Sequence, residues 1–149
     1  MKIKLGIIGY GGMGKWHAEN APRAGVEIAA VCDIDEVKQK EAVDAGFKMY
    51  QTAEELLKDP EVNTVILTVP NYLHKEMCVK AAKAGKNVIT EKPAALNVQE
   101  LDEMEAACKE AGVFFTSHQN RRWDKDMLIV KKAYDEGMLG NIFTIESKL

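Results

Sequence analysis

The chain has 149 residues, 46% of them hydrophobic and 29% charged, and its 20 Lys and Arg against 23 Asp and Glu leave a net charge of −3. That length suits one domain able to bury around 70% of its extended-chain surface, and the interspersed charges provide neither a basic stripe for nucleic acid nor a polybasic tail for a membrane. Cys32, Cys78 and Cys108 are odd in number and lack a C-x-x-C pair, which excludes a disulfide framework and reads as buried thiols in a reducing cytoplasm.

The amino terminus, Met1-Lys2-Ile3, leads straight into an apolar run, so no signal peptide is expected, and no run approaches a membrane span. That run, 3–8, is the first predicted strand. It stops at Gly9-Tyr10-Gly11-Gly12-Met13-Gly14, where Gly9, Gly11 and Gly14 stand in the spacing G-x-G-x-x-G ahead of a helix-compatible stretch. This is the dinucleotide-binding fingerprint. Gly9 makes the tight turn, Gly11 lets a pyrophosphate approach the backbone, and Gly14 lets helix and strand pack closely. The N–H groups opening the helix then face the phosphates. Met13 is placed either to support this turn or to touch the cofactor.

A second strand over 26–32 ends at Asp33, nineteen residues beyond Gly14, where an acid is needed for the ribose hydroxyls. Asp33 and Asp35 would repel a 2′-phosphate, and no arginine follows to neutralise one, so NAD is favoured over NADP. A charged helix with a solvated face around Glu36 and Glu41 runs to Gly46, and 47–50 reads as a third strand. Thr52 with Glu55 forms a capping box for a short helix ended by Asp59-Pro60. The stretch 62–69 is a β-branched apolar run typical of a strand buried on both faces, ending at Val69-Pro70-Asn71.

The next helix is expected to bury Leu73, Met77, Ala81 and Ala84, and 87–90 forms a strand that delivers Glu91-Lys92-Pro93. Asn97 with Glu100 caps a helix carrying Leu101, Met104 and Cys108, and 113–116 is the sixth strand. Alternating strands and helices predict an α/β fold, a doubly wound parallel sheet of the Rossmann type over 1–118. Ligands of such sheets bind beyond the carboxyl ends of the strands. The glycine turn, Asp33, Pro70-Asn71, Glu91-Lys92 and the 117–120 segment should therefore meet in one crevice.

Residues 119–149 read differently. Asp124 is expected to cap a helix with Met127, Val130 and Tyr134 inward, and 142–149 alternates like a strand with one buried face. This is the pattern of a connecting helix and the first strand of a second, open-sheet domain that is cut short. Its exposed apolar edge predicts a homo-oligomer. His17, His74 and His118 lack ligand spacing such as H-x-x-x-H, so no metal is assigned. Trp16 and Trp123 are expected to pack, and Arg121 and Arg122 to form surface pairs with Asp124 and Asp126.

The motifs Gly9-Tyr10-Gly11-Gly12-Met13-Gly14 with His17, Asp33, Val69-Pro70-Asn71-Tyr72-Leu73-His74, Glu91-Lys92-Pro93 and Asn120-Arg121-Arg122-Trp123-Asp124 are together similar to the glucose-fructose oxidoreductase/inositol dehydrogenase family (Gfo/Idh/MocA). The resemblance implies a nicotinamide-dependent dehydrogenase of a sugar or polyol. It implies that Val69, Pro70, Asn71, His74, Glu91 and Asn120 belong with the cofactor site and that Lys92 is the catalytic lysine, beside a Lys92-Pro93 bond that can be cis. Burial would suit that lysine to its task. Members of the family carry a second domain, so the chain is expected to be an amino-terminal fragment that binds NAD weakly and turns nothing over. The alternatives are a non-catalytic NAD-binding sensor or assembly module, which would have no need of Lys92, and an S-adenosylmethionine-dependent methyltransferase.

Overall fold

Side chains that alternate between two faces build the sheet around β1 (Lys4–Ile8), in a computed structural model that describes residues 2–146. Leu5 and Ile7 enter one core with Val31 and Ile66, whereas Ile8 enters the other with Ala30, Cys32, Val65 and Leu67. The period-2 geometry of a strand requires this division, and it explains why the central strands carry apolar residues at every position.

The chain continues through α1 (Gly12–Asn20), β2 (Glu27–Cys32), α2 (Glu36–Asp44), β3 (Met49–Tyr50) and α3 (Ala53–Leu57). There follow β4 (Thr64–Leu67), α4 (His74–Lys83), β5 (Asn87–Thr90), α5 (Val98–Glu110) and β6 (Phe115–Ser117). The strands lie in the order β3-β2-β1-β4-β5-β6 and every pairing is parallel. Ile7 faces Val31 on one side and Ile66 on the other. The order reverses direction between β1 and β4, the position at which doubly wound sheets open a crevice.

Two cores follow from this order. Ala18 of α1 and Ala42 of α2 cover the Leu5-Ile7 face, and Leu56, Cys78, Ala82, Met104 and Cys108 of α3, α4 and α5 cover the other. Capping sets several helix starts. Asp35 accepts from the N–H groups of Val37 and Lys38, Asn97 accepts from Glu100, and Thr52 and Glu55 form a reciprocal capping box.

One expected helix face is rotated. The buried residues of α4 are His74, Cys78, Ala81 and Ala82, while Leu73 and Met77 are half-buried and Ala84 is exposed. A short 3-10 turn over Asn71–Leu73 precedes α4, and it shifts the core stripe by about one residue and releases Leu73 and Met77 to a cavity.

The chain divides into two compact units, 1–118 and 119–149. The second holds a 3-10 turn, Asn120–Trp123, and α6 (Lys125–Asp135). No residue of α6 is buried, so Met127, Val130 and Tyr134 do not point into a core. Trp123 is likewise exposed, not packed. A single helix and its turn have no second layer against which to bury an apolar stripe. Asp124 stands at the N-cap, but its carboxylate accepts from Arg121 at 2.9 Å and makes no capping bond. The predicted strand over 142–149 lies partly outside the described residues. Within them, 142–146 form no strand, because a strand needs a neighbouring ladder and none is paired here.

Candidate functional site

The glycine turn after β1 is held at closest approach. Gly9 has φ of +98°, its N–H donates to the Cys32 carbonyl at 2.9 Å, and a Cβ there would stand 2.8 Å from the Thr68 carbonyl oxygen. A Cβ on Gly14 would stand 2.1 Å from the Gly9 oxygen. Gly11 and Gly12 are the opposite case, with nothing within 4 Å of either added Cβ. Thus two glycines permit packing and two face open space. Gly11 is the N-cap of α1 and offers no side-chain cap, so side chains leave the N–H groups opening this helix unclaimed.

Asp33 closes the turn from the end of β2. Its Oδ2 accepts from the Tyr10 N–H at 2.7 Å and its Oδ1 from the Asp35 N–H at 2.9 Å. A cavity of about 400 Å³ opens here, lined by Gly9, Gly11, Asp33, Thr52, Val69, Pro70, Leu73 and Met77 among others. A second recess of about 220 Å³ is lined by Met13, Thr68, Val69, Asn71, Glu91 and Lys92. Thr68 and Val69 line both, so the two recesses meet along the segment leaving β4.

His74 lines neither recess. It is fully buried, and its ring nitrogens lie 3.0 Å from the Pro93 oxygen and 3.1 Å from the Val69 oxygen. Both nitrogens contact backbone, so His74 braces the segments that follow β4 and β5. Asn120 belongs to the second unit, where it opens the 3-10 turn. Lys92 follows β5 and precedes a cis peptide bond to Pro93. Its side chain is exposed, so the burial expected for it is not found.

Sequence spacing missed a buried cluster behind Lys92. Oε1 of Glu91 lies 2.7 Å from His17 Nε2 and 3.0 Å from His118 Nδ1, and Oε2 accepts from the Lys92 N–H at 3.3 Å. Trp16 stands edge-on to His17, with ring centroids 5.1 Å apart. Burial pushes the His17 imidazole below its ordinary pKa, against the opposing effect of its hydrogen bond to Glu91. Burial alone would raise the Glu91 carboxyl. The His17 hydrogen bond, the nearby His118 ring and the Lys92 N–H outweigh it and hold Glu91 below the usual carboxylate range. The residues are distant in sequence: His17 lies in the last turn of α1, Glu91 just after β5 and His118 just after β6. Position in the fold was the available signal.

The chain as a whole has known relatives. Residues 3–119 match GFO_IDH_MocA, described as "Oxidoreductase family, NAD-binding Rossmann fold". The chain belongs to this family. It is 34% identical over 144 residues to myo-inositol 2-dehydrogenase of Thermotoga maritima, covering 93% of this chain and 42% of that protein. It is 35% identical over 150 residues to scyllo-inositol 2-dehydrogenase (NADP(+)) IolW of Bacillus subtilis, covering 97% and 40%. Among solved structures, the WlbA dehydrogenase of Bordetella pertussis in complex with NADH and UDP-GlcNAcA superposes with a TM-score of 0.89 at 29% identity, covering 96% of this chain and 45% of that one. The chain therefore spans less than half the length of these Gfo/Idh/MocA relatives. The open space at Gly11 and Gly12, the uncapped start of α1 and the Asp33 carboxylate suit the pyrophosphate and ribose of a dinucleotide. Among the described residues, no helix is long and apolar enough to cross a membrane.

Proposed function

We propose that this chain is the cofactor-binding half of a dehydrogenase that moves a hydride between a sugar or polyol and NAD. The observation that carries the reading is the meeting of two recesses at Thr68 and Val69, one under Gly11 and Asp33 and the other beside Lys92. The first suits the adenosine and pyrophosphate, and we assign the second, which Lys92 lines, to the nicotinamide. Inositol dehydrogenases among the relatives support a polyol substrate.

A bound nicotinamide supplies the hydride acceptor or donor. The Lys92 ammonium stabilises negative charge on the substrate oxygen as its carbon is oxidised. Glu91 holds the Lys92 backbone N–H, and Asn71 and Met13 border the same recess. The remaining substrate contacts are assigned to a further domain, of which 119–149 is the beginning. Positioning supplies several kcal/mol of such a barrier, so this chain alone is expected to bind cofactor and not to turn over. Asp33 with Asp35 after β2, and no arginine directly following them, favour NAD over NADP. Three buried thiols suit the cytoplasm, and the exposure of Phe143 and Ile145 supports a homo-oligomer, checked by sedimentation.

The test is a calorimetric titration with NAD, NADP and S-adenosylmethionine in parallel. Saturable NAD binding stronger than that of NADP is expected. Binding of adenosylmethionine without NAD, or of none of the three, overturns the reading.

A further inference from the structure

We propose that His17 Nε2, Glu91 Oε1 and His118 Nδ1 form a three-ligand site for a borderline divalent cation of the Zn²⁺ class. The three atoms come from α1 and from the ends of β5 and β6, and all lie within 4.8 Å of one another. Two imidazoles and one carboxylate, with a fourth position open, are a donor set suited to zinc. Neither oxygen-seeking Mg²⁺ nor Ca²⁺ suits two nitrogen donors.

The geometry is near to what an ion requires. At ligand distances of about 2.0–2.2 Å, tetrahedral ligands stand roughly 3.3–3.5 Å apart, against 2.7 and 3.0 Å between Glu91 and the two rings here. The rings need to withdraw by a few tenths of an ångström. His118 has that freedom, since its side chain is 24% exposed. Each ring now directs an N–H at Glu91, and a neutral imidazole can carry its proton on the other nitrogen instead. Ligation then needs a change of tautomer beside that small withdrawal.

Access and linkage complete the case. A cavity of about 320 Å³ is lined by both histidines with Trp16 and Asn20, which gives an ion a route to the cluster. Glu91 Oε2 stays with the Lys92 N–H, so an ion on Oε1 leaves the lysine turn in place. It would join the helix that starts at the glycine turn to the ends of two strands.

The inference does not depend on cofactor binding, and its test omits nucleotide. The metal-free chain is titrated with ZnCl₂ by calorimetry and with CoCl₂ by visible absorption, alongside His118→Gln and His17→Gln variants whose folding is checked by circular dichroism. Saturable uptake of one ion per chain is expected, with cobalt d–d bands and no thiolate charge-transfer band. Affinity should fall at least tenfold in each folded variant. If the buried His17 variant does not fold, the His118 variant decides. Absence of saturable binding, binding unchanged in His118→Gln, or a cobalt–thiolate band that moves the ion to the cysteines overturns the proposal and leaves the cluster as a hydrogen-bond network.

Discussion

The Thr68 hydroxyl lies 2.5 Å from the Gly9 carbonyl oxygen and 3.1 Å from that of Ile8, joining the end of β4 to the glycine turn. Thr68→Val keeps the shape and removes the donor. Leaving a partly buried carbonyl unpaired should cost about 1–3 kcal/mol in urea denaturation. Thr68→Ser should recover most of the loss, and full stability in the valine variant would show that the bond is not needed to hold the turn.

Glycine substitutions should separate folding from cofactor binding. Gly14→Ala drives a Cβ to 2.1 Å from the Gly9 oxygen, and the resulting displacement should cost at least the ~1–3 kcal/mol of an overpacked core. Gly11→Ala meets nothing within 4 Å, so its melting temperature should hold while NAD affinity falls, because the added methyl fills the space reserved for pyrophosphate. Equal NAD affinity in Gly11→Ala would place the phosphates elsewhere.

Asp33 serves both turn and ligand in the proposed reading. Asp33→Asn retains an acceptor for the Tyr10 N–H, 2.7 Å away, but loses the charge. Bonds to a charged acceptor contribute about 1.5–3 kcal/mol, so NAD affinity should drop roughly ten- to hundredfold. The preference over NADP should narrow as well, and calorimetry reads both.

Acid stability should depend on Asp59. Its buried carboxylate accepts from the Glu61 N–H at 2.9 Å and the Tyr50 hydroxyl at 3.2 Å, and Lys48 Nζ stands 3.0 Å away. Burial would raise this carboxyl, but the partners outweigh it and its pKa lies below the ordinary value. The unfolded carboxyl protonates near about pH 3.9. Its contribution is therefore present in full above that pH and is lost as pH falls through the lower folded value. The Glu61 N–H is the largest of the lowering influences, and the share of the half-exposed Lys48 is reduced by solvent screening. Asp59→Asn should flatten the stability profile at acid pH, as followed by circular dichroism.

Thiol chemistry should report global unfolding. Burial raises the Cys32 thiol to about 12, and it raises Cys78 and Cys108 as well. Alkylation of the native chain at neutral pH should be negligible at all three positions until denaturant is added. Rapid native labelling would reveal local opening.

The sequence by itself determined the alternation of strands and helices, the glycine turn and the acid after β2. These are local properties: apolar period, capping chemistry and the need for glycine where backbones touch. The capping box at Thr52 and Glu55 was legible for the same reason. The rotation of α4 was not, because a three-residue turn ahead of it reset which face met the core. Nor was the burial of His74 between two carbonyls legible from a motif that places it beside Asn71.

Only the tertiary structure decided which histidines meet Glu91. His17 and His118 are 101 residues apart in the chain, and nothing in local spacing relates them. Parallel strand order brings the last turn of α1 together with the ends of β5 and β6, and burial then obliges polar side chains there to find one another.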